Sequence, residues 1–417
     1  MRSTPRPRGL TALRFILAFG VVSALGDILY EGARSIHGPL LASLGATALV
    51  VSVVTGAGEA IALGMRLLFG RLADARRRRW PLATAGYAIT VVTVPLLGLA
   101  ASVPAAATLI LGERAGKAVR SPSKDAMLAQ AGTVGGRGWA FAIHEAMDQA
   151  GAFTGPLFIA AMIAVTGGFA TGLMLLVIPG LALLGVLVWL QRRVPDPGIY
   201  EPDAPTADAP SDEGRRLPPL FWAYAAFSAA TMLGFATFGL LSFHLVGLVA
   251  PATVPLVYAL AMATDAGAAL GFGRLYDRLG LPTLLVLPAL AALAPWFAFG
   301  STPLAAIIGI AIWGAALGIQ ESSMRAAVAD LVPDAHRGSA YGIFAAVTGV
   351  AWLVGSVLIG VLYQRDFGAE PSDSSGPATT ALVIGGIQVL AAATLILVHR
   401  ARQRGRNVRE STAIPTA

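Results

Sequence analysis

The chain has 417 residues, 56% apolar and only 13% charged, where soluble domains carry about 25% charged residues. A soluble core of this size cannot cover so much apolar surface, so lipid is the expected solvent and a multi-pass membrane protein the expected class. The absence of cysteine excludes disulfides, thiolate metal sites and cysteine nucleophiles. The formal charge of +7 is spread through short gaps between apolar runs, which is a topology pattern and not a nucleic-acid patch.

In chain order, a basic arm with Arg2, Arg6 and Arg8 leads into an apolar run that carries Asp27 and Glu31. That run lacks a clear small-residue cleavage site, so it reads as a retained first span rather than a signal peptide. Twelve apolar segments are expected, at 10–34, 39–69, 81–101, 104–130, 138–164, 169–191, 218–247, 251–275, 282–300, 303–331, 338–364 and 377–399. Their lengths of about 19 to 31 residues suit tilted helices crossing roughly 30 Å of hydrocarbon. Between the sixth and seventh, Arg192 to Pro219 is rich in Pro, Asp and Glu and reads as a flexible linker. The expected domains are a six-helix bundle over 1–192, a linker over 193–217, a second bundle over 218–400 and a basic tail over 401–417. Lys and Arg gather at both termini and in every second gap, and the opposite gaps hold almost none apart from Arg34 and Arg365. By the positive-inside rule both termini are expected in the cytoplasm, with the chain in the plasma or inner membrane.

The hexapeptide FGRLAD at Phe69–Asp74 returns as FGRLYD at Phe272–Asp277, after the second span of each half. Arg137-Gly138 with Gly155 likewise returns as Arg337-Gly338 with Gly355, at the same internal spacing. Both echoes point to a duplicated six-helix unit, a known transporter plan. The stretch GRLADARRRR resembles the signature loop of the major facilitator superfamily, G-x-L-a-D-r-x-G-r-r, through Gly70, Leu72, Asp74, Arg78 and Arg79. Ala75 and Arg77 depart from that pattern. The second copy fits at Gly273, Leu275, Asp277, Arg278 and Gly280, and lacks the trailing basic pair. The resemblance implies an all-α membrane protein of twelve transmembrane helices in two pseudo-symmetric bundles, working by alternating access about a midplane site. It also implies that Gly70, Asp74, Arg78, Arg79, Gly273, Asp277 and Arg278 form cytoplasmic gates. A carboxylate such as Asp74 suits the N-terminus of a neighbouring helix, where the dipole favours negative charge.

An ionisable group inside a span costs several kcal/mol unless paired or water-lined, so each is a functional candidate. In span four, Glu113, Lys117, Arg120 and Lys124 fall on a stripe roughly 60° wide, with Arg114 and Asp125 on a second stripe. Glu113 precedes Lys117 by four residues, the favourable order for an intrahelical pair. A self-neutralising structural network is the competing reading of this helix. In span five, Glu145 and Asp148 are three apart on one face, and two close carboxylates resist joint ionisation, which makes one a candidate proton carrier. His144 and Asp148 form a possible i,i+4 pair, and salt bridges to span four are the alternative for the trio.

Further along span five, Gly151, Gly155 and Pro156 supply a GxxxG packing face and a kink site. They resemble part of the G-x-x-x-G-P element of proton-coupled drug antiporters in the superfamily. Asp27, Glu31 and Arg34 share a face of span one, Glu59 sits in span two, Asp265 in span eight, and Glu321 with Arg325 in span ten. Buried charge is thus concentrated in the first half, where coupling chemistry is expected, while the second half is expected to shape substrate fit. No Walker loop occurs in the sequence, which disfavours ATP-driven pumping.

The expected function is a secondary transporter for a small organic solute, coupled to protons and directed to efflux of drug-like compounds. The chain is expected to act as a monomer, without enzymatic activity, cofactor or metal. The alternatives are uptake or exchange of an anionic metabolite on Arg114, Lys117, Arg120 and Arg325, a non-transporting sensor with the same fold, and an intramembrane enzyme built on His144, Glu145 and Asp148.

Overall fold

A computed structural model describes residues 10–76, 79–134, 136–200, 217–333, 336–368 and 378–412, and the regular elements among them are helical. The first span is α1 (Ala12–Arg34), which leads through the short α2 (His37–Ser43) to α3 (Ala48–Arg76). Then come α4 (Arg79–Leu97), α5 (Val103–Ala131) and α6 (Arg137–Thr166), and the sixth span is divided into α7 (Phe169–Leu175) and α8 (Val177–Arg193). The second half opens with a span broken at Gly234 into α9 (Pro219–Leu233) and α10 (Phe238–Leu245). It continues with α11 (Thr253–Leu279), α12 (Val286–Ala298), α13 (Pro303–Leu331), α14 (Arg337–Phe367) and α15 (Ala378–Thr412).

Among the described residues, eleven helical stretches are long and apolar enough to cross a membrane. The expected fourth span is not among them, although α5 runs for 29 residues. Its charged stripes lower its hydropathy, so the helix with the most chemistry is the one that a hydropathy criterion passes over.

The duplication is visible at helix ends and at helix contacts. At the start of α5 the Ser102 side chain accepts from the Ala105 N–H at 3.4 Å, and at the start of α13 Thr302 accepts from Ala305 at 3.3 Å. A proline follows in the first turn of each, where its missing N–H costs nothing.

The chain divides into two compact units, Met1–Arg34 with Leu68–Ala209, and Ser35–Leu67 with Pro210–Ala417. In the first, α1 lies along α6 and α8, and α4 along α5 and α8. In the second, α9 lies along α14 and α15, and α12 along α13 and α15, which are the equivalent pairs. The echoed glycines carry the match to atomic detail. A Cβ at Gly155 would meet the α1 backbone at Ile28 and Gly32, and one at Gly355 would meet the α9 backbone at Leu233. Lipid gives helices no hydrophobic drive to associate, so contacts this close let dispersion do so.

The second signature copy ends α11. Gly280 follows its last residue with φ +69° and donates to the Tyr276 carbonyl at 2.7 Å, a conformation glycine adopts without a Cβ penalty.

The linker expectation changes at its start. Pro197–Tyr200 forms a 3₁₀ turn packed against α5, because that segment carries hydrogen-bonding and aromatic groups that the bundle can use. The Tyr200 hydroxyl donates to the Leu10 carbonyl at 2.8 Å, Thr133 donates to the Tyr200 carbonyl at 2.7 Å, and Trp80 donates to the Val194 carbonyl at 3.0 Å. Burial raises the Tyr200 phenol above its ordinary value. The rest of the linker, 201–216, lies outside the described residues.

Candidate functional site: a buried charge cluster in the first unit

Four helices of the first unit bring their polar residues together. On α1, Ser23, Asp27 and Tyr30 follow one another at spacings of four and three, which places them on one face. Facing them are Lys117, Arg120 and Lys124 from α5, His144 and Asp148 from α6, and Tyr87 and Thr90 from α4.

Asp148 is the centre of one group. Its Oδ2 lies 3.4 Å from Lys124 Nζ and 3.3 Å from His144 Nε2. Ser23 Oγ bridges the same two partners, at 3.2 Å from His144 Nε2 and 3.5 Å from Lys124 Nζ. Asp148 Oδ1 and His144 Nδ1 are enclosed with no hydrogen-bond partner among the described residues. Asp27 is nearly buried, also makes no hydrogen bond among them, and feels the charges of Asp148, Lys124, Lys117 and Glu31. Asp148 alone contacts the lysine, and Asp27, from a different helix, lies close enough to feel the charges of both.

Tyr30 is the centre of a second group. Lys117 Nζ donates to its hydroxyl at 3.1 Å and lies 4.2 Å from its ring centroid. The guanidinium carbons of Arg114 and Arg120 lie 5.4 and 5.2 Å from the same ring. Arg114 also meets Glu113 at 2.7 Å, and Arg34 meets Glu31 at 3.5 Å. Arg120 differs: it donates to Thr90 at 2.8 Å and lies 4.9 Å from the Tyr87 ring, with no ion pair among the described residues. Burial of an ion costs several kcal/mol. A desolvated cation–π contact offsets about 2 kcal/mol of that, and a charged hydrogen bond about 1.5–3 kcal/mol. Arg120 is thus held by two rings and a hydroxyl, with no carboxylate partner among the described residues.

The remaining candidates fall elsewhere. Glu145 does not join Asp148: it is exposed and accepts from Gln149 at 3.3 Å, because α6 turns His144 and Asp148 inward and Glu145 outward. Asp125 is exposed. In the second unit, Asp265 is buried where α11 crosses α13 against Gly318, and Glu59 is half-buried. Glu321 and Arg325 are both exposed and form no ion pair among the described residues, so the expected pair is not made.

Of the gate residues, a Cβ at Gly70 would stand 3.9 Å from the Pro122 side chain of α5. Arg79 is half-buried, and Gly273 has open space where a side chain would stand. Asp277 and Arg278 are exposed on the last turn of α11. The Asp74 side chain and Arg78 lie outside the described residues. Gly151 and Gly155 press α6 onto α1, and a Cβ at Gly151 would come 2.8 Å from Asp27 Cβ. Pro156 lies within α6.

Ser23, Tyr30, Tyr87 and Thr90 are members of the cluster that sequence reasoning missed. The signal available was the stripe of Ser23, Asp27 and Tyr30 in an otherwise apolar helix. His244 was missed as well: buried in the second unit, it meets the Tyr363 hydroxyl at 2.8 Å and the Gly300 carbonyl at 3.1 Å.

Among known families, the Major Facilitator Superfamily matches residues 15–355 and 244–416. The chain belongs to the Major Facilitator Superfamily. It is a multi-pass integral membrane protein and a secondary transporter, not an enzyme. Uncharacterized proteins of Mycobacterium tuberculosis and Mycobacterium bovis are 56% identical over 364 residues, covering 86% of this chain and 89% of theirs. An uncharacterized MFS-type transporter of Methanocaldococcus jannaschii is 24% identical over 84% of this chain and 88% of its own. Among solved structures, a bacterial homologue of the human lysosomal transporter Spinster, inward-facing and unoccupied, aligns with TM-score 0.71 at 16% identity, over 95% of this chain and 98% of that one. The nucleoside transporter NupG aligns with TM-score 0.69 at 15% identity, over 92% and 99%. At such identities the likeness is one of superfamily fold.

Proposed function

We propose that the chain is a proton-coupled exporter of a small organic solute, acting by alternating access between two six-helix halves. In this reading α5 is the fourth of twelve spans, both termini are cytoplasmic, and the host membrane is the plasma or inner membrane. The observation that carries the coupling is the contact of Asp148 with Lys124 and His144 beside the unbonded Asp27. A proton delivered to Asp148 cancels its attraction for Lys124. The lysine then has one carboxylate in reach, Asp27, and the helices that carry the three groups are free to shift. Loss of the proton restores the first pairing. His144 Nε2 and Ser23 Oγ lie on the path by which a proton would reach Asp148.

Outward direction is supported by the Gly151–Pro156 element, which holds α6 against α1 and thereby sets the distance between the two carboxylates. The cargo follows from side chains and not from fold, since the fold neighbours include transporters of nucleosides and of peptides.

The test is flux in proteoliposomes under an imposed pH gradient, with a substrate panel. Asp148→Asn, which keeps shape and removes the titrating group, is expected to abolish gradient-driven flux while the protein still folds. Unchanged coupling in that variant removes Asp148 as the proton carrier.

A further inference from the structure

Arg120 is 4% exposed, yet its contacts among the described residues are the Thr90 hydroxyl and the rings of Tyr30 and Tyr87. Arg114 and Lys124, its neighbours on α5, each meet a carboxylate instead. A guanidinium presents five N–H donors, and the Thr90 bond engages NH1 alone. Nε and NH2 make no hydrogen bond to the described residues and are not among the fully enclosed nitrogens. The backbone beneath it is held firmly. A Cβ at Gly86 of α4 would stand 2.7 Å from the Arg120 nitrogen and 2.6 Å from the Gly116 carbonyl, so α4 and α5 touch at this turn. The result is a positioned cation with no carboxylate partner among the described residues and with Nε and NH2 unbonded, a group that takes a planar carboxylate through two parallel hydrogen bonds.

We propose that Arg120 anchors a carboxylate on the transported solute, so that the cargo is an organic acid. The inference rests on the transporter reading of the same cluster and narrows its substrate class. Asp148 and Asp27 handle the proton, while Arg120, one turn earlier on α5 than Lys124, holds the acid group. Tyr30 and Tyr87 keep the guanidinium in place when the site is empty and lie beside the cargo when it is full.

The experiment is thermal unfolding of the purified chain in a neutral detergent, titrated with benzoate, benzamide, benzylamine and sodium chloride. Benzoate is expected to raise the unfolding midpoint in a saturable way, and the isosteric amide and the amine are not. Arg120→Gln is expected to weaken benzoate by about tenfold or more, a loss typical of one charged contact. Arg120→Lys is expected to fall between, since a point charge lacks the fork; should the Gln variant not fold, the Lys variant makes the comparison.

Equal stabilisation by chloride assigns the site to an inorganic anion and overturns the proposal. So does benzoate binding that survives Arg120→Gln, or a wild-type chain that does not respond to benzoate. The two readings fail separately. A pH-driven flux that depends on Asp148 without any benzoate response leaves the exporter standing and removes the acid anchor. Benzoate binding through Arg120 without pH-driven flux does the reverse.

Discussion

Tyr30 takes three cations from a single facing helix, with Lys117 on its hydroxyl and the charges of Arg114, Lys117 and Arg120 around its ring. The ring and the hydroxyl do separable work. Tyr30→Phe keeps the ring and removes the acceptor for Lys117, which should lower stability by about 1.5–3 kcal/mol. Tyr30→Leu removes the ring as well, taking its face from two buried arginines and a half-buried lysine, and should cost about 4 kcal/mol or more. Denaturation of both variants in detergent checks the order, and equal losses would mean that the ring faces contribute nothing. The sequence made the α5 stripe legible because charges in an apolar helix stand out one by one. Tyr30 was not legible, since a tyrosine in a span is ordinary and its role depends on which helix face it meets. The same holds for Glu145, whose spacing from Asp148 left both on neighbouring sides of α6 until packing against α1 chose between them.

Among whole elements, the crossings are set by glycines rather than by large side chains. Gly155 and Gly355 occupy equivalent places on α6 and α14, and each touches the backbone of its half's first span. Gly185 on α8 has open space around its Cβ position. Gly155→Leu should therefore push α6 away from α1 and destabilise by about 3 kcal/mol or more, at the upper end of overpacking costs. Gly185→Leu should stay within about 0.5 kcal/mol, as substitutions away from such contacts do. Unfolding midpoints of the pair decide it, and similar losses at both sites would contradict close packing at Gly155. Among the described residues eleven of the expected spans meet a hydropathy criterion in the expected order, and the repeat of Gly155 at Gly355 pointed to a duplicated unit. The breaks at Gly234 and between α7 and α8 were not readable, because an apolar run looks continuous whether or not its backbone stays helical.

Taken whole, the chain repeats its helix pairings and does not repeat its charges. Among the described residues the first unit holds Asp27, Glu31, Arg34, Glu113, Arg114, Arg120 and His144 as buried charged or histidine side chains, while the second unit holds His37, His244 and Asp265. On the proposed reading, a duplicated scaffold with one charged half carries coupling in that half and completes the path with the other. This division needs the two halves to run in the same sense through the membrane, which the spacing of basic gaps expects.

Labelling tests that orientation directly, because the chain has no native cysteine. The residues chosen must be exposed and free of structural duty. Gly136 has φ +100° and Gly300 accepts from His244, so neither suits a cysteine. Val134, 67% exposed beyond the end of α5, and Ser301, exposed before α13, are better sites. An impermeant maleimide added outside intact cells should label Ser301→Cys and not Val134→Cys, with both labelled after permeabilisation. The reverse pattern would place the termini outside. Labelling of both from outside would mean that an even number of spans separates them, and one of the helices from α6 to α12 would then be the first to doubt as a span.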